Sequence, residues 1–308
     1  MIQKSSYIKR LILVVFTALL GIETQAQQDP QFTHYMYNTM SVNSAYAGQR
    51  DVLSATALYR TQWVGIDGAP ETITFGIHTP LRNDRLGLGL NVVSDKLGPA
   101  SETTIDANFS YTIPLNTDLE LSFGVKGGLH VLDADWSKGR FQNPDRVFND
   151  NINLISPTLG VGAYLHSDKW YLGLSVPNML TTKHYDDFQE SIATERLHFF
   201  LIGGYVFDLS ENTKLKPAFL VKAVEGAPLI ADLSANVLFN DKFTLGLAYR
   251  WDDSVSGLVG FQVDKSLFVG YSYDATTTAL NNYNSGTHEI MLRFELQQIG
   301  KILSPRFF

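Results

Sequence analysis

The 308-residue sequence predicts an all-β protein: a transmembrane antiparallel β-barrel of about 14 strands, with an N-terminal segment that is a candidate plug for its lumen. Three observations predict it. Segments that alternate apolar and polar residues follow one another from about Val52 to Gln297. The connectors between them alternate short and long, which is the outer-membrane pattern of tight periplasmic turns and longer outer loops. Aromatic residues bracket the segments, as in Trp170 with Tyr171, Tyr249 with Trp251 and Tyr271 with Tyr273, where an interfacial girdle belongs.

Residues 1–26 read as a signal peptide. Lys4, Lys9 and Arg10 form a basic start, Leu11 to Ile22 is apolar apart from Thr17 and Gly21, and Thr24-Gln25-Ala26 supplies small residues at a cleavage position. The apolar stretch is well short of the ~20 residues needed to span a bilayer as a helix. Cleavage is expected after Ala26. With no cysteine anywhere, neither a lipid-anchored lipoprotein nor a disulfide framework is available.

Residues 27–50 precede the first strand. Phe32, Tyr35, Met36, Tyr37 and Tyr46, interleaved with the small Ala45, Ala47 and Gly48, are too aromatic for a solvated tail. Two readings stand: a plug packed within or beneath the barrel, or a periplasmic strap leading into it.

Residues 51–308 are read as the barrel. In 242–251 the odd positions Phe243, Leu245, Leu247, Tyr249 and Trp251 oppose Thr244, Gly246, Ala248 and Arg250. The same split recurs in Leu119 to Lys126, in Leu86 to Val92 and in His288 to Leu296. Alternate strand residues face opposite sides of a sheet, so apolar rows face lipid while charged and glycine rows face the lumen. A soluble β-sandwich would alternate too, but strands of about nine to eleven residues and the aromatic girdles favour the barrel. Asp, Asn, Ser and Lys mark the short turns, at 82–84, 116–118, 167–169, 210–213, 240–242 and 264–266. The long connectors run from Asp133 to Leu154, Asn178 to Thr194 and Ala275 to Gly286.

Composition narrows the class. Hydrophobic residues are 44%, aromatic residues 12% and charged residues only 18%, too little charge for a cysteine-free secreted soluble domain. Without the signal, 21 Lys and Arg face 30 Asp and Glu, a net charge of about −9 that argues against a nucleic-acid partner.

Motifs for chemistry are sparse. The seven histidines, His34, His78, His130, His166, His184, His198 and His288, lack metal-site spacing and read as wall or girdle residues, and no metal or cofactor is expected. Oxygen-rich Asp133 to Asn151 does not carry the twelve-residue calcium-loop spacing. Gly87 with Gly89, Gly127 with Gly128 and Gly203 with Gly204 lie inside strands, where they mark curvature or close approach. No nucleophile elbow is present, so no enzyme activity is expected. Fourteen strands enclose a real lumen, lined here by Arg60, Glu120, Lys126, Arg250, Asp274 and Arg293, and mixed charge along these rows suits salt-bridged wall packing. Partner-surface candidates are Trp63 and Asp67 in the Gln62 to Pro70 connector, Trp136, Phe141, Phe148, Tyr185, Phe188 and Tyr283 in the outer loops, and Arg250 and Asp274 in the lumen.

The runs Asp29-Pro30-Gln31-Phe32, Tyr35-Met36-Tyr37-Asn38, Ala45-Tyr46-Ala47-Gly48, Gln62 to Pro70, Gly270-Tyr271-Ser272-Tyr273-Asp274 and Asn282 to Leu292 together carry a resemblance. The sequence resembles the PorP/SprF family of outer-membrane proteins of the type IX secretion system, over the whole mature chain. The resemblance implies residence in the Gram-negative outer membrane and contact with its lipid. It also implies work with the secretion and gliding machinery, including its periplasmic or lipoprotein components. Many members are paired with a very large exported surface protein whose C-terminal domain they help to secrete or hold at the cell surface. A channel or binding protein for a small solute is the competing expectation. Resemblance to outer-membrane barrels also makes the terminal Phe308 the expected assembly signal, although Pro305 keeps Ser304 to Phe308 out of the middle of a strand.

Overall fold

The computed structural model describes residues 30–82, 85–136, 151–180, 197–224, 227–296, 304 and 306. They form one antiparallel sheet that closes on itself. Its segments are β1 Leu53–Thr61, β2 Glu71–Pro80, β3 Leu86–Leu97, β4 Ala100–Pro114, β5 Glu120–Ala134, β6 Ile152–His166, β7 Trp170–Val176, β8 His198–Tyr205 and β9 Phe207–Ser210. Then follow β10 Thr213–Val224, β11 Ile230–Phe239, β12 Phe243–Arg250, β13 Ser254–Gln262, β14 Leu267–Thr276 and β15 Thr287–Leu296.

Apart from β8 and β9, each strand pairs with its neighbours in sequence, and β15 returns to β1, from Leu53 opposite Leu296 to Thr61 opposite His288. Both β8 and β9 pair with β10 and are separated only at Val206, so the wall has fourteen staves. The break lies opposite Lys216 and Pro217, and proline has no amide hydrogen to give a ladder. Closure removes every free sheet edge, which a membrane cannot satisfy with hydrogen bonds.

The alternation read from sequence is the inside–outside alternation of the wall. On β12, Phe243, Leu245, Leu247 and Tyr249 point outward and are exposed, while Thr244, Ala248 and Arg250 are buried. The interior is therefore polar: Asp106, Lys126, Asp232, Arg250, Asp274, Glu289 and Arg293 are all buried. Among the expected lumen residues Glu120 differs, since its half-exposed side chain sits at the strand's periplasmic end, 3.8 Å from His166.

Two expectations need correction. β4, β5 and β6 each have 15 residues, longer than nine to eleven. Their outer halves keep pairing past the apolar band with polar residues such as Ser101, Glu102, Thr103 and Asp133. In consequence the connector taken as Asp133 to Leu154 shrinks, because β5 runs to Ala134 and β6 resumes at Ile152.

Residues 30–50 lie against the inward-facing side chains of the wall. They include a single helical turn, α1 Thr39–Val42, and a 3-10 turn Ser44–Tyr46, whose cap Asn43 accepts a hydrogen bond from the Ala45 amide at 3.0 Å. Phe32, Tyr35, Met36, Tyr37, Met40 and Tyr46 are buried, and Ala45 and Ala47 are 0% exposed. Small residues meet small residues here: a Cβ on Gly124 would lie 2.1 Å from the Ala45 nitrogen, and one on Gly87 2.1 Å from the Ala47 oxygen. Close approach, one of the two roles expected of the strand glycines, is what Gly87 and Gly124 provide.

Candidate functional site

Three polar layers tie residues 30–50 to the wall, from the outer half of the lumen to its periplasmic end. In the outermost, β1, β14 and β15 bring three inward positions together, since Arg60 is opposite Glu289 and Ser272 is opposite Glu289 in the ladders. Arg60 pairs with Asp274 and with Glu289, each at 2.9 Å. Glu289 also accepts the Thr33 amide at 3.0 Å and the His34 amide at 2.8 Å, and pairs with the His34 ring at 2.7 Å. The Thr33 hydroxyl donates to Asp274 at 2.8 Å. Two buried carboxylates are thus neutralised by one guanidinium and by donors from the N-terminal segment, the condition under which buried charge is tolerated.

The middle layer is mostly neutral. Tyr35 shares a hydrogen bond with Ser234 at 2.9 Å, Asn43 donates to the Ala163 carbonyl at 3.0 Å, and Ser175 donates to the Val42 carbonyl at 2.7 Å. Tyr37 lies against Phe268, the Lys216 side-chain nitrogen and the Arg293 guanidinium. Burial pushes the Tyr37 phenol up to about 12. At the periplasmic end the Gly48 amide donates to His78 at 3.1 Å, Gln49 donates to Thr112 and Ser122, and Arg50 pairs with Glu295. Arg306 reaches in from the far end of the chain, donating to the carbonyls of Ser167 and Gln49, and its own carbonyl accepts from Lys216 at 2.9 Å.

Above these layers, on the side of the long connectors, a cavity of about 930 Å³ opens. Pro30, Gln31 and Phe32 line it from below, with Trp63, Asn91 and Trp251 among its walls. Trp63 holds a left-handed backbone, φ 47°, which a bulky residue adopts only when its surroundings enforce it. The enforcement comes from the Val64 amide donating to the Gly286 carbonyl at 2.9 Å, the Ser285 amide to the Val64 carbonyl at 2.7 Å, and the Trp63 amide to Thr287 at 3.2 Å. Two motifs singled out in the sequence, Gln62 to Pro70 and Asn282 to Leu292, therefore meet at the outer rim.

The remaining candidates fall as follows. Asp67 is exposed in the same connector and Tyr283 is 74% exposed beside it in sequence motif Asn282 to Gly286. The Trp136 amide donates to Asn151 at 3.1 Å at the top of β5. Arg250 is buried and pairs with Asp232 at 2.7 Å and Asp253 at 3.2 Å, and Asp274 belongs to the outermost layer. Phe32, Tyr35, Met36 and Tyr37 are all buried against the wall. Phe141, Phe148, Tyr185, Phe188 and Phe308 lie outside the described residues. His34, expected as a wall or girdle residue, belongs instead to the N-terminal segment as a partner of Glu289. Sequence reasoning assigned no role to Glu289, although it lies in the Asn282 to Leu292 motif, or to Lys216, a charge on an inward row. Among the described residues no group of three His, Asp or Glu side chains is arranged to hold a metal ion.

Two solved structures with a similar course of chain are far from it in sequence. A monoaromatic hydrocarbon channel, CymD, aligns with a TM-score of 0.50 at 11% identity, covering 85% of this chain and 93% of its own. Omp33, an outer-membrane protein of Acinetobacter baumannii, aligns at 0.48 and 9% identity, over 80% of this chain and 100% of its own. At these identities the likeness concerns the fold alone. No curated protein sequence matches the chain significantly. Residues 24–294 match the family model described as type IX secretion system membrane protein PorP/SprF. The chain belongs to the PorP/SprF family, and is an outer-membrane β-barrel of the type IX secretion system.

Proposed function

We propose that this barrel is a non-enzymatic anchor: it helps to secrete, or holds at the cell surface, a large exported protein through that protein's C-terminal domain. In this reading residues 1–26 are removed as a signal peptide, residues 27–50 close the lumen, and 51–308 form the wall. The observation that carries it is the continuous polar and aromatic packing of residues 32–50 across the interior, from Glu289 to Glu295. A lumen occupied in that way suits a rigid docking platform better than a diffusion path. Partner contacts then fall to the outer rim, where Trp63, Asp67 and Tyr283 are carried, and to the outer loops. Phe308 serves as the assembly signal, and periplasmic or lipoprotein components of the machinery contact the opposite end.

Deleting the gene and comparing surface proteins by mass spectrometry tests the reading. One large surface protein should be lost or released into the medium, and a plasmid copy should restore it. An unchanged surface together with a lost solute uptake would replace the anchor by the transport reading. The mass of the purified protein should correspond to a chain beginning at Gln27, and an uncleaved mass would remove the signal-peptide assignment.

A further inference from the structure

At the periplasmic end the wall and the N-terminal segment meet a third piece of chain. Ser304 and Arg306 lie against the turn between β6 and β7: the Ser304 hydroxyl donates to the Asp168 carbonyl at 2.6 Å, and the Arg306 amide donates to the same carbonyl at 3.1 Å. The Arg306 carbonyl accepts from Lys216, an inward residue of β10 that is 1% exposed, at 2.9 Å. These contacts fix the Arg306 backbone to the wall, and so fix where its side chain can reach.

The guanidinium joins two elements. Nη1 donates to the Ser167 carbonyl at 2.9 Å and Nη2 to the Gln49 carbonyl at 3.3 Å. Arginine presents five N–H donors in a rigid planar fork, so one side chain can hold carbonyls of two segments in a set geometry. Arg306 is buried, and a hydrogen bond from a charged donor is stronger away from water. Gln49 is tied to β4 and β5 through its side chain, which donates to Thr112 at 3.0 Å and Ser122 at 2.9 Å, and its amide closes a turn on the Tyr46 carbonyl at 3.1 Å. Arg306 adds the hold on the Gln49 backbone, from the periplasmic side.

Sequence separation orders these contacts. Arg306 is 257 positions from Gln49 and 139 from Ser167, so it finds both carbonyls only once the wall between them is assembled and residues 46–50 are seated. We infer that Arg306 is a latch: it locks residues 46–50 into the periplasmic mouth after the wall has closed, and its withdrawal loosens the base of the N-terminal segment. The inference rests on the reading that residues 27–50 close the lumen. It adds the element that a periplasmic component must displace to open that end.

The test follows amide hydrogen exchange by mass spectrometry on the full-length processed protein in detergent, each variant first checked for a folded, heat-modifiable barrel. Arg306→Gln removes the charged fork and should speed exchange of peptides covering 46–50 by about tenfold, while peptides from β4 to β6 and from 30–38 exchange as in the parent. Arg306→Lys should stay close to Arg306→Gln, because an ammonium on a flexible stem does not reproduce the fork. Ser304→Ala deletes only the hydroxyl that pins the tail to Asp168; it should give a smaller rise of about threefold, and it keeps the test open should Arg306→Gln not fold. Exchange of 46–50 indifferent to Arg306→Gln and Ser304→Ala overturns the latch, as does full protection in Arg306→Lys. Faster exchange spread evenly over the wall also overturns it, since Arg306 would then support the barrel as a whole. Strong protection of 30–38 alongside any of these failures leaves the closed lumen standing without a latch, whereas free exchange of 30–50 in the parent removes both together.

Discussion

Glu289 holds the N-terminal segment by three hydrogen bonds, to the Thr33 and His34 amides and the His34 ring. Replacing it by alanine removes the acceptor of the Thr33 and His34 amides and of the His34 ring, and leaves Arg60 with Asp274 and the Thr33 hydroxyl. Breaking a buried, hydrogen-bonded charge pair costs about 3–5 kcal/mol. The stranded guanidinium and amides are relieved if residues 30–38 leave the lumen and water enters. The penalty therefore falls on docking rather than on the wall, whose ladders do not use the Glu289 carboxylate. At about 1.4 kcal/mol per factor of ten, the docked-to-released ratio should fall by roughly two to three and a half orders of magnitude. Hydrogen exchange followed by mass spectrometry in detergent reads this directly. Peptides covering 30–46 should be strongly protected in the parent and exchange faster by that factor in Glu289→Ala, while β4 to β6 exchange as before. Unchanged exchange of 30–46 would refute the clamp, and equal loss of protection everywhere would show that Glu289 supports the wall instead.

Two further outcomes follow from the same packing. Gly124→Val places a Cβ 2.1 Å from the Ala45 nitrogen and 2.4 Å from the Ser44 carbonyl carbon, backbone atoms that cannot step aside cheaply. Overpacking of this kind costs about 1–3 kcal/mol, so limited proteolysis should newly cut within 30–50 while the wall stays intact; an uncut segment would count against the contact. Tyr37 supplies a pH dependence: its phenol ionises near 10 when released and is held up at about 12 when docked. A folded value raised above the free one means that docking is fully stabilised below pH 10 and weakens as pH rises towards 12. Protease sensitivity of 30–50 should rise over that window in the parent and not in Tyr37→Phe; the same rise in both would exclude Tyr37 as the cause.

Much of this architecture was legible because lipid imposes it residue by residue. Phe243, Leu245, Leu247 and Tyr249 are apolar for contact with hydrocarbon, and the period of two is visible without knowing any partner strand. The aromatic run Phe32 to Tyr37 was legible as packed for a different local reason, since it is too aromatic for a solvated tail. Strand length was not, because β4 to β6 continue beyond the bilayer on polar residues that look like loop. Nor was the clamp, since Thr33 and His34 meet Glu289 across more than 250 positions, and a single glutamate on an inward row does not name its partner. The rim was half legible: Gln62 to Pro70 and Asn282 to Leu292 each stood out as motifs, but their contact required closure of β15 on β1.

Conductance of the full-length protein in planar lipid bilayers bears most directly on whether residues 30–50 occupy the lumen. The packing predicts insertion without steady ion current in the parent, and current appearing in Glu289→Ala as the segment is released. Steady porin-like conductance of the parent would contradict a filled barrel, and with it the docking platform built upon it.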